Sequence, residues 1–481
     1  IGRDYELDQL TELKRAINSK EIQGVYLEGY YKREYPYNTL ASDVIGVYDQ
    51  AGTANYGVEQ EYDDYLTGIY GRLYGYVDNG VFVKQEEILA ENGYNVNLTI
   101  DFTIQNQVED ALQAYMETHE AKSANAIVMD PQTGEILAMA SYPTFDLNDP
   151  YNLELVLSEE QLSNMTGEDI QNHRYNLWRN FNVSNTFEQG STYKSLVLAA
   201  ALEEGVIDVD TTFRCDGSLH IAGYDIRCWK REGHGDLTAA EALVNSCNVS
   251  FMQIGALLGS DTFFNYSQLY GVGEKTGIDM VAEEGDSTAI YFQREQLGES
   301  ELATSSFGQG FNMTSIQLIT AFSSIINGGY MYQPHIMASI EDDSGHNVEN
   351  FEPIVIRQVI SKETSDIMRG LLQRVVEEGT GTGAYIEGYH IGGKTGTAEQ
   401  GNREIDNYAV SFIGYAEQEE AEVVVLVAIY EPENGADGED PSSKLAVGVF
   451  ENIMQGILPY MGLFKDDEVL SEELESTDTA N

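Results

Sequence analysis

Cysteine is scarce in this sequence: three occur among 481 residues, Cys215, Cys228 and Cys247. An odd number excludes a fully paired disulfide framework. Basic residues are outnumbered, 26 Lys and Arg against 80 Asp and Glu, for a formal net charge of −54. A chain so acidic repels phosphate backbones and anionic membrane surfaces, which argues against nucleic acid as a partner. The surplus reads as a solvated surface adapted to a salty or cation-rich medium. No run of 18 or more apolar residues occurs, so no segment reads as a transmembrane helix. The first residue is Ile rather than Met, and the chain reads as a processed or trimmed one that lacks an N-terminal anchor. There is no internal repeat.

What is present exceeds a single core, so two or three domains are expected. Residues 1–95 are rich in Gly, Tyr and acidic side chains, with short alternating runs such as "GVYLEG" and "GRLYGYV" that read as strands among loops. The texture then changes. "TIQNQVEDALQAYMETHEA" has helical spacing, and "NAIVMDPQTGEILAMAS" reads as two strands around a Pro-x-x-Gly turn. A largely helical middle follows, with a capping box at Thr238-x-x-Glu241. Three strands, "YHIGGKTGTAEQ", "NYAVSFIGYAEQ" and "AEVVVLVAIYEP", then precede a helix in "SKLAVGVFENIMQGILPYM". Strands from both ends must meet in one sheet, giving an α+β domain over residues 96–464 with the helical part inserted. Residues 465–481 read as an acidic disordered tail.

The chemistry centres on "TFEQGSTYKSLVLAAALEEG", where Ser191 and Lys194 open an apolar helix of three to four turns that Gly205 stops. A spacing of three lets the two side chains touch. A buried lysine is costly unless something needs it. A serine hydroxyl needs a neighbouring base to attack a carbonyl, and Lys194 is placed to be that base. Burial and a nearby second cation, Lys394, are both expected to push its pKa down. Further along come Ser246-Cys247-Asn248 and Lys394-Thr395-Gly396-Thr397. In this reading Ser246 relays a proton to the leaving amine, and the Asn248 amide holds a substrate carbonyl. The Ser191 and Thr397 backbone N–H groups receive the oxyanion. Lys394, Thr395 and Thr397 face a terminal carboxylate, and glycines 392, 393 and 396 let a substrate strand lie close. A second Lys-Thr-Gly begins at Lys275 inside a glycine loop and reads as a turn.

Any one of the three motifs is weak alone. The ordered trio S-x-x-K, S-x-N, K-T-G resembles the signature set of serine β-lactamases and penicillin-binding proteins. From Lys20 to Leu463 the chain further resembles the class B penicillin-binding proteins, the monofunctional peptidoglycan transpeptidases of the elongation or sporulation type. The resemblance is carried by "REYPYNTLASDVIGVY", "NLTIDFTIQNQVEDAL", "AIVMDPQTGEILAMASYPTFDLN" and "SSFGQGFNMTSIQLITAFSSIINGGYMYQP". It implies a penicilloyl serine transferase fold, with an antiparallel sheet and inserted helical subdomain, behind an irregular N-terminal pedestal at residues 1–95. It also implies cross-linking of stem peptides through a serine acyl-enzyme formed on D-Ala-D-Ala, and acylation by β-lactams. A membrane anchor and an extracytoplasmic site at the bacterial cell membrane are implied likewise. No segment resembles a glycosyltransferase, so one is expected as a partner. A β-lactam sensor or scaffold, a D,D-carboxypeptidase and a β-lactamase are the alternatives. Two positions depart from the family pattern: Gln189 replaces the usual proline before the nucleophile, and Asp43 stands where histidine is common.

The cysteines share one segment with His234 in the order C-x12-C-x5-H-x12-C, four ligands of the kind structural zinc prefers. Some elongation-type relatives hold zinc in this region. By that resemblance His234 and Cys247 match ligand positions, and Cys228 replaces an aspartate. A Cys215 to Cys228 disulfide, which would contribute about 3 kcal/mol, and reduced buried thiols are the competing readings. No cofactor is expected for catalysis itself.

Overall fold

The structure, a computed structural model, describes all residues except 1, 3, 4, 28–31, 50, 51, 79, 80, 286–290, 401–406, 419, 434–441 and 466–481. The expected disordered tail, apart from Lys465, lies outside the described residues. The chain divides into two units, Ile1–Pro36 and Tyr37–Asn481. The first holds one helix, α1 (Thr11–Asn18), without a buried residue. Residues 24–27, part of a run read as a strand, are irregular.

The second unit opens with a short helix, α2 (Ser42–Ile45), and a hairpin of β1 (Arg72–Asp78) and β2 (Val81–Ile88); β1 is the "GRLYGYV" run. A strand, β3 (Asn95–Leu98), leads into α3 (Phe102–Thr118), whose N-terminus is capped by the Asp101 carboxylate accepting from the Thr103 and Ile104 N–H groups. Strands β4 (Ser123–Met129) and β5 (Ile136–Tyr142) form the expected hairpin, and Gly134 takes the left-handed position of its turn, φ +86°.

The middle is less helical than its composition implies. After α4 (Lys194–Glu203) come four short strands, β6 (Thr212–Cys215), β7 (Ser218–Ile221), β8 (Tyr224–Arg227) and β9 (Gly235–Thr238), paired as β6 with β9 and β7 with β8. Four residues show too few alternations to announce a strand. They carry the cysteine segment. Helix α5 (Ala239–Val244) begins with the expected capping box of Thr238 and Glu241, and α6 (Asn248–Leu258) and α7 (Ser315–Ser324) follow. Strand β10 (Met337–Glu341) pairs with β3.

Helix α8 (Lys362–Glu378) precedes β11 (His390–Glu399), β12 (Tyr408–Glu417), β13 (Ala421–Tyr430) and α9 (Lys444–Tyr460). The sheet order is β11-β12-β13-β4-β5, antiparallel throughout, so strands from both ends of the domain do meet: Leu426 pairs with Ile127. Both faces are covered, which is why β13 reads as an unbroken apolar run. Val424, Leu426 and Ala428 join a core with Leu196 and Leu198 of α4 and Ile316 of α7. Val423, Val425, Val427 and Ile429 join a second core with Leu112 of α3 and Phe450 and Ile453 of α9. A period of two thus builds two cores from one strand. This is the α+β architecture expected, and it leaves β11 as an edge strand beside the start of α4.

Candidate active site

Among the described residues, Lys194 and Lys394 are the only lysines or arginines that are buried, both with no exposed surface. Three elements bring them together. The first is the turn before α4, which is a 3-10 turn, Gly190–Tyr193, rather than the first turn of the α-helix. The expectation that Ser191 lies within the α-helix is corrected accordingly. Gly190 has φ +56°, and a Cβ there would stand 2.3 Å from Thr397 O, so the tighter turn lets the Ser191 loop press against β11. The buried Gln189 side chain donates to Phe187 O and to Met313 O at 3.4 Å, tying this loop to the strand beneath it. The sequence alone offers no reason for Gln189.

Lys194 Nζ lies 3.1 Å from Ser191 Oγ, 2.8 Å from Ser246 O, 3.2 Å from Ser246 Oγ and 2.6 Å from Asn248 Oδ1. The Asn248 Nδ2 group donates to Arg227 O at 3.5 Å, consistent with Oδ1 facing the lysine. A neutral amine has two N–H bonds and one lone pair. Ser246 O and Asn248 Oδ1 only accept, so they can take both N–H bonds of the neutral amine, which leaves its lone pair for a hydroxyl, Ser191 at 3.1 Å or Ser246 at 3.2 Å. Burial pulls the Lys194 pKa down to about 7, while the nearby Cys228 and Cys247 sulfurs act in the opposite sense.

The second element is the end of α5, which puts Ser246 and Asn248 beside Lys194. The third is β11. Lys394 Nζ donates to Ser246 Oγ at 3.0 Å and to Thr395 O at 3.2 Å, and Thr395 Oγ1 lies 3.0 Å from Thr380 Oγ1. Ser246 Oγ therefore bridges two lysines. Burial, and then repulsion from Lys194, holds Lys394 well below the ordinary lysine range. Coulomb repulsion is mutual, so the two lysines that share Ser246 Oγ oppose each other's protonation. Thr397 lies partly exposed on the edge strand, against the Gly190–Tyr193 turn.

The glycines of β11 serve the protein's own packing. A Cβ on Gly396 would meet Ser411 Oγ at 2.3 Å and Gln189 O at 2.9 Å, and one on Gly392 would enter the Tyr415 ring. The second Lys-Thr-Gly lies in an irregular loop just beyond the turn expected there: Glu283 accepts from the Thr276 N–H and hydroxyl at 2.6 Å and from the Gly277 N–H at 3.2 Å.

Behind Ser246 the cysteine segment closes on itself. One ligand atom from each of Cys215, Cys228, His234 and Cys247 lies within 4.8 Å of the others. The cysteines are buried and free, and His234 Nδ1 stands 3.6 Å from both the Cys215 and Cys228 sulfurs. Hydrogen bonding between the two thiols pulls Cys228 down and pushes Cys247 up.

A family model for the penicillin binding protein transpeptidase domain matches residues 124–455. The chain belongs to this family. It is 35% identical to stage V sporulation protein D of Bacillus subtilis over 97% of this chain and 70% of that one. It is 26% identical to the peptidoglycan D,D-transpeptidase FtsI of Escherichia coli over 97% and 73%. Crystalline penicillin-binding protein 3 of Mycobacterium tuberculosis, complexed with aztreonam, superposes with a TM-score of 0.75 at 27% identity over 90% of this chain and 91% of that one. Within the family this is a class B penicillin-binding protein with the penicilloyl serine transferase fold. Two of its side chains near the trio escaped sequence reasoning. Thr380 lies in the loop after α8, and Trp229 follows Cys228; both reach the site only through the tertiary fold. Trp229 is one of only two tryptophans in the chain, the single signal available.

Proposed function

We propose that this chain is the catalytic part of a peptidoglycan D,D-transpeptidase in which Ser191 is the nucleophile and Lys194 its base. The observation that carries the proposal is the buried Lys194 amine 3.1 Å from Ser191 Oγ, with Ser246 O and Asn248 Oδ1 within 2.8 Å to accept its N–H bonds. Ser191 Oγ bonds to the carbonyl carbon of the D-Ala-D-Ala peptide as its proton moves to Lys194 Nζ. The oxyanion lies against the Ser191 and Thr397 N–H groups, each such donor being worth about 2.7 to 4 kcal/mol. Breaking the C–N bond expels terminal D-Ala, whose nitrogen takes the proton from Lys194 through Ser246 Oγ. The acceptor amine of a second stem peptide reverses these steps. Asn248 holds the donor peptide, and Lys394, Thr395, Gly396 and Thr397 form the carboxylate end of the cleft. A β-lactam follows the first half, but its leaving nitrogen stays tethered.

Labelling with a fluorescent penicillin tests this assignment: wild type forms a long-lived adduct and Ser191→Ala forms none. Persistent labelling of the variant refutes the nucleophile, and release of the label within seconds indicates a β-lactamase. Anchorage in the bacterial cell membrane, an extracytoplasmic site and a glycosyltransferase partner belong to the same proposal and rest on the family resemblance. Among the described residues no helix is long and apolar enough to cross a membrane.

We also propose that Cys215, Cys228, His234 and Cys247 hold a structural zinc ion. Tetrahedral zinc with Zn–S of about 2.3 Å and Zn–N of about 2.0 Å separates N and S by about 3.6 Å, and His234 Nδ1 lies 3.6 Å from two of the sulfurs. The ion would tie the loop of Cys228 to Cys247, between Ser246 and Asn248, and would supply rigidity and no chemical step. Protein purified without chelator is expected to carry about one equivalent of zinc; less than about 0.2 equivalents would sink the idea.

A further inference from the structure

Ser246 has a left-handed backbone, φ +51°. It occupies the position after α5 where a helix-ending motif ordinarily has glycine: Ser246 N–H donates to Leu243 O at 3.1 Å and Cys247 N–H to Ala242 O at 2.9 Å. That conformation is disfavoured for a residue with a Cβ, so something must hold it. The carbonyls left over at the helix end also need donors. Thr380 N–H serves Val244 O at 3.3 Å. The indole Nε1–H of Trp229 serves the next two, 3.2 Å from Asn245 O and 3.1 Å from Ser246 O.

Ser246 O is also the carbonyl that receives Lys194 Nζ at 2.8 Å. One oxygen thus joins the indole to the base. The ring is steadied from the other side by His234, edge to face at 5.3 Å, and by the buried Cys228 that precedes it. Yet the Trp229 residue remains 57% exposed. A ring so exposed contributes little core packing, and what it supplies to this wall is chiefly its N–H.

We infer that Trp229 is a positioning residue for acylation: its indole N–H pins the turn at residues 245 and 246, and thereby aims Ser246 O and Oγ at Lys194. The inference rests on the reading that Lys194 deprotonates Ser191. If the turn relaxes, Ser246 O leaves one Lys194 N–H unheld, and the lone pair is free to rotate away from Ser191. Binding of the substrate does not depend on that orientation, whereas the rate of the chemical step does.

Trp229→Phe keeps a ring and removes the N–H. Stopped-flow acylation by a chromogenic cephalosporin separates the limiting rate from the half-saturating concentration, and melting is followed in parallel. The limiting rate is expected to fall about tenfold, the loss of one hydrogen bond. Half-saturation should stay within about twofold and the melting temperature within about 3 °C. Trp229→Ala should lose at least as much rate. A Phe variant within about twofold of the wild-type limiting rate overturns the inference. So does a rise in half-saturation with an unchanged rate, which would make Trp229 a substrate contact, or a rate loss matched by a collapse in melting temperature. Ser191→Ala in the same assay keeps the two readings apart: acylation of that variant removes the nucleophile assignment, whereas an unaffected Trp229→Phe removes only this one.

Discussion

In the proposed mechanism, whether Lys194 holds its proton decides whether Ser191 has a base. Burial brings its pKa to about 7, so below that pH the amine is charged and its lone pair is gone. The acylation rate constant is expected to fall about tenfold per pH unit below about 7 and to level off above it. Stopped-flow acylation from pH 5 to 9 checks this. A profile still rising at the alkaline end would mean that the lysine keeps an ordinary pKa and is not the base. The identity of this residue was legible in the sequence because a lysine opening an apolar helix is anomalous by itself. Its surroundings were not: the opposing cysteine sulfurs come from a loop and a helix end that only the fold brings close.

At the scale of elements, α2 brings a buried carboxyl group against the sheet. Asp43, buried, accepts from the Ser141 hydroxyl at 2.7 Å on β5, and Glu109 of α3 faces it. Burial foremost, with Glu109 adding to it, raises its pKa from 3.8 to about 7. The native state therefore holds a proton that the unfolded chain releases between those values. The resulting stability is complete below about 4 and is lost as pH rises through 7, at most about 4 kcal/mol. Asp43→Asn is expected to flatten the fall in melting temperature between pH 5 and 8, and parallel calorimetric curves for the two proteins would contradict it.

Elements were legible in proportion to their length. The ten-residue strands β11 to β13 and the helices α3 and α9 repeat their pattern often enough to be read. The four-residue strands β6 to β9 and the 3-10 turn at Ser191 do not. Glycines 392 and 396 were visible, but their reason was not, because the Tyr415 ring and Ser411 that exclude a Cβ belong to the neighbouring strand.

For the molecule as a whole, an excess of 54 negative charges coexists with a site that buries two lysines. The surface and the site are thus separate electrostatic problems, and acidity gave no warning of the chemistry. The sheet has a further consequence. Its β4 and β5 are laid down before the helical region and its β11 to β13 after, and Lys394 sits on the outermost of the late strands. Pairing between such distant segments is slow, because the loop must close before its contacts repay it. A growing chain that has not reached His390 already contains Ser191, Lys194 and Ser246 but has only one wall of the cleft. Reactivity toward penicillin therefore requires that β11 has taken its place beside Ser191, and it reports that these two distant segments have met.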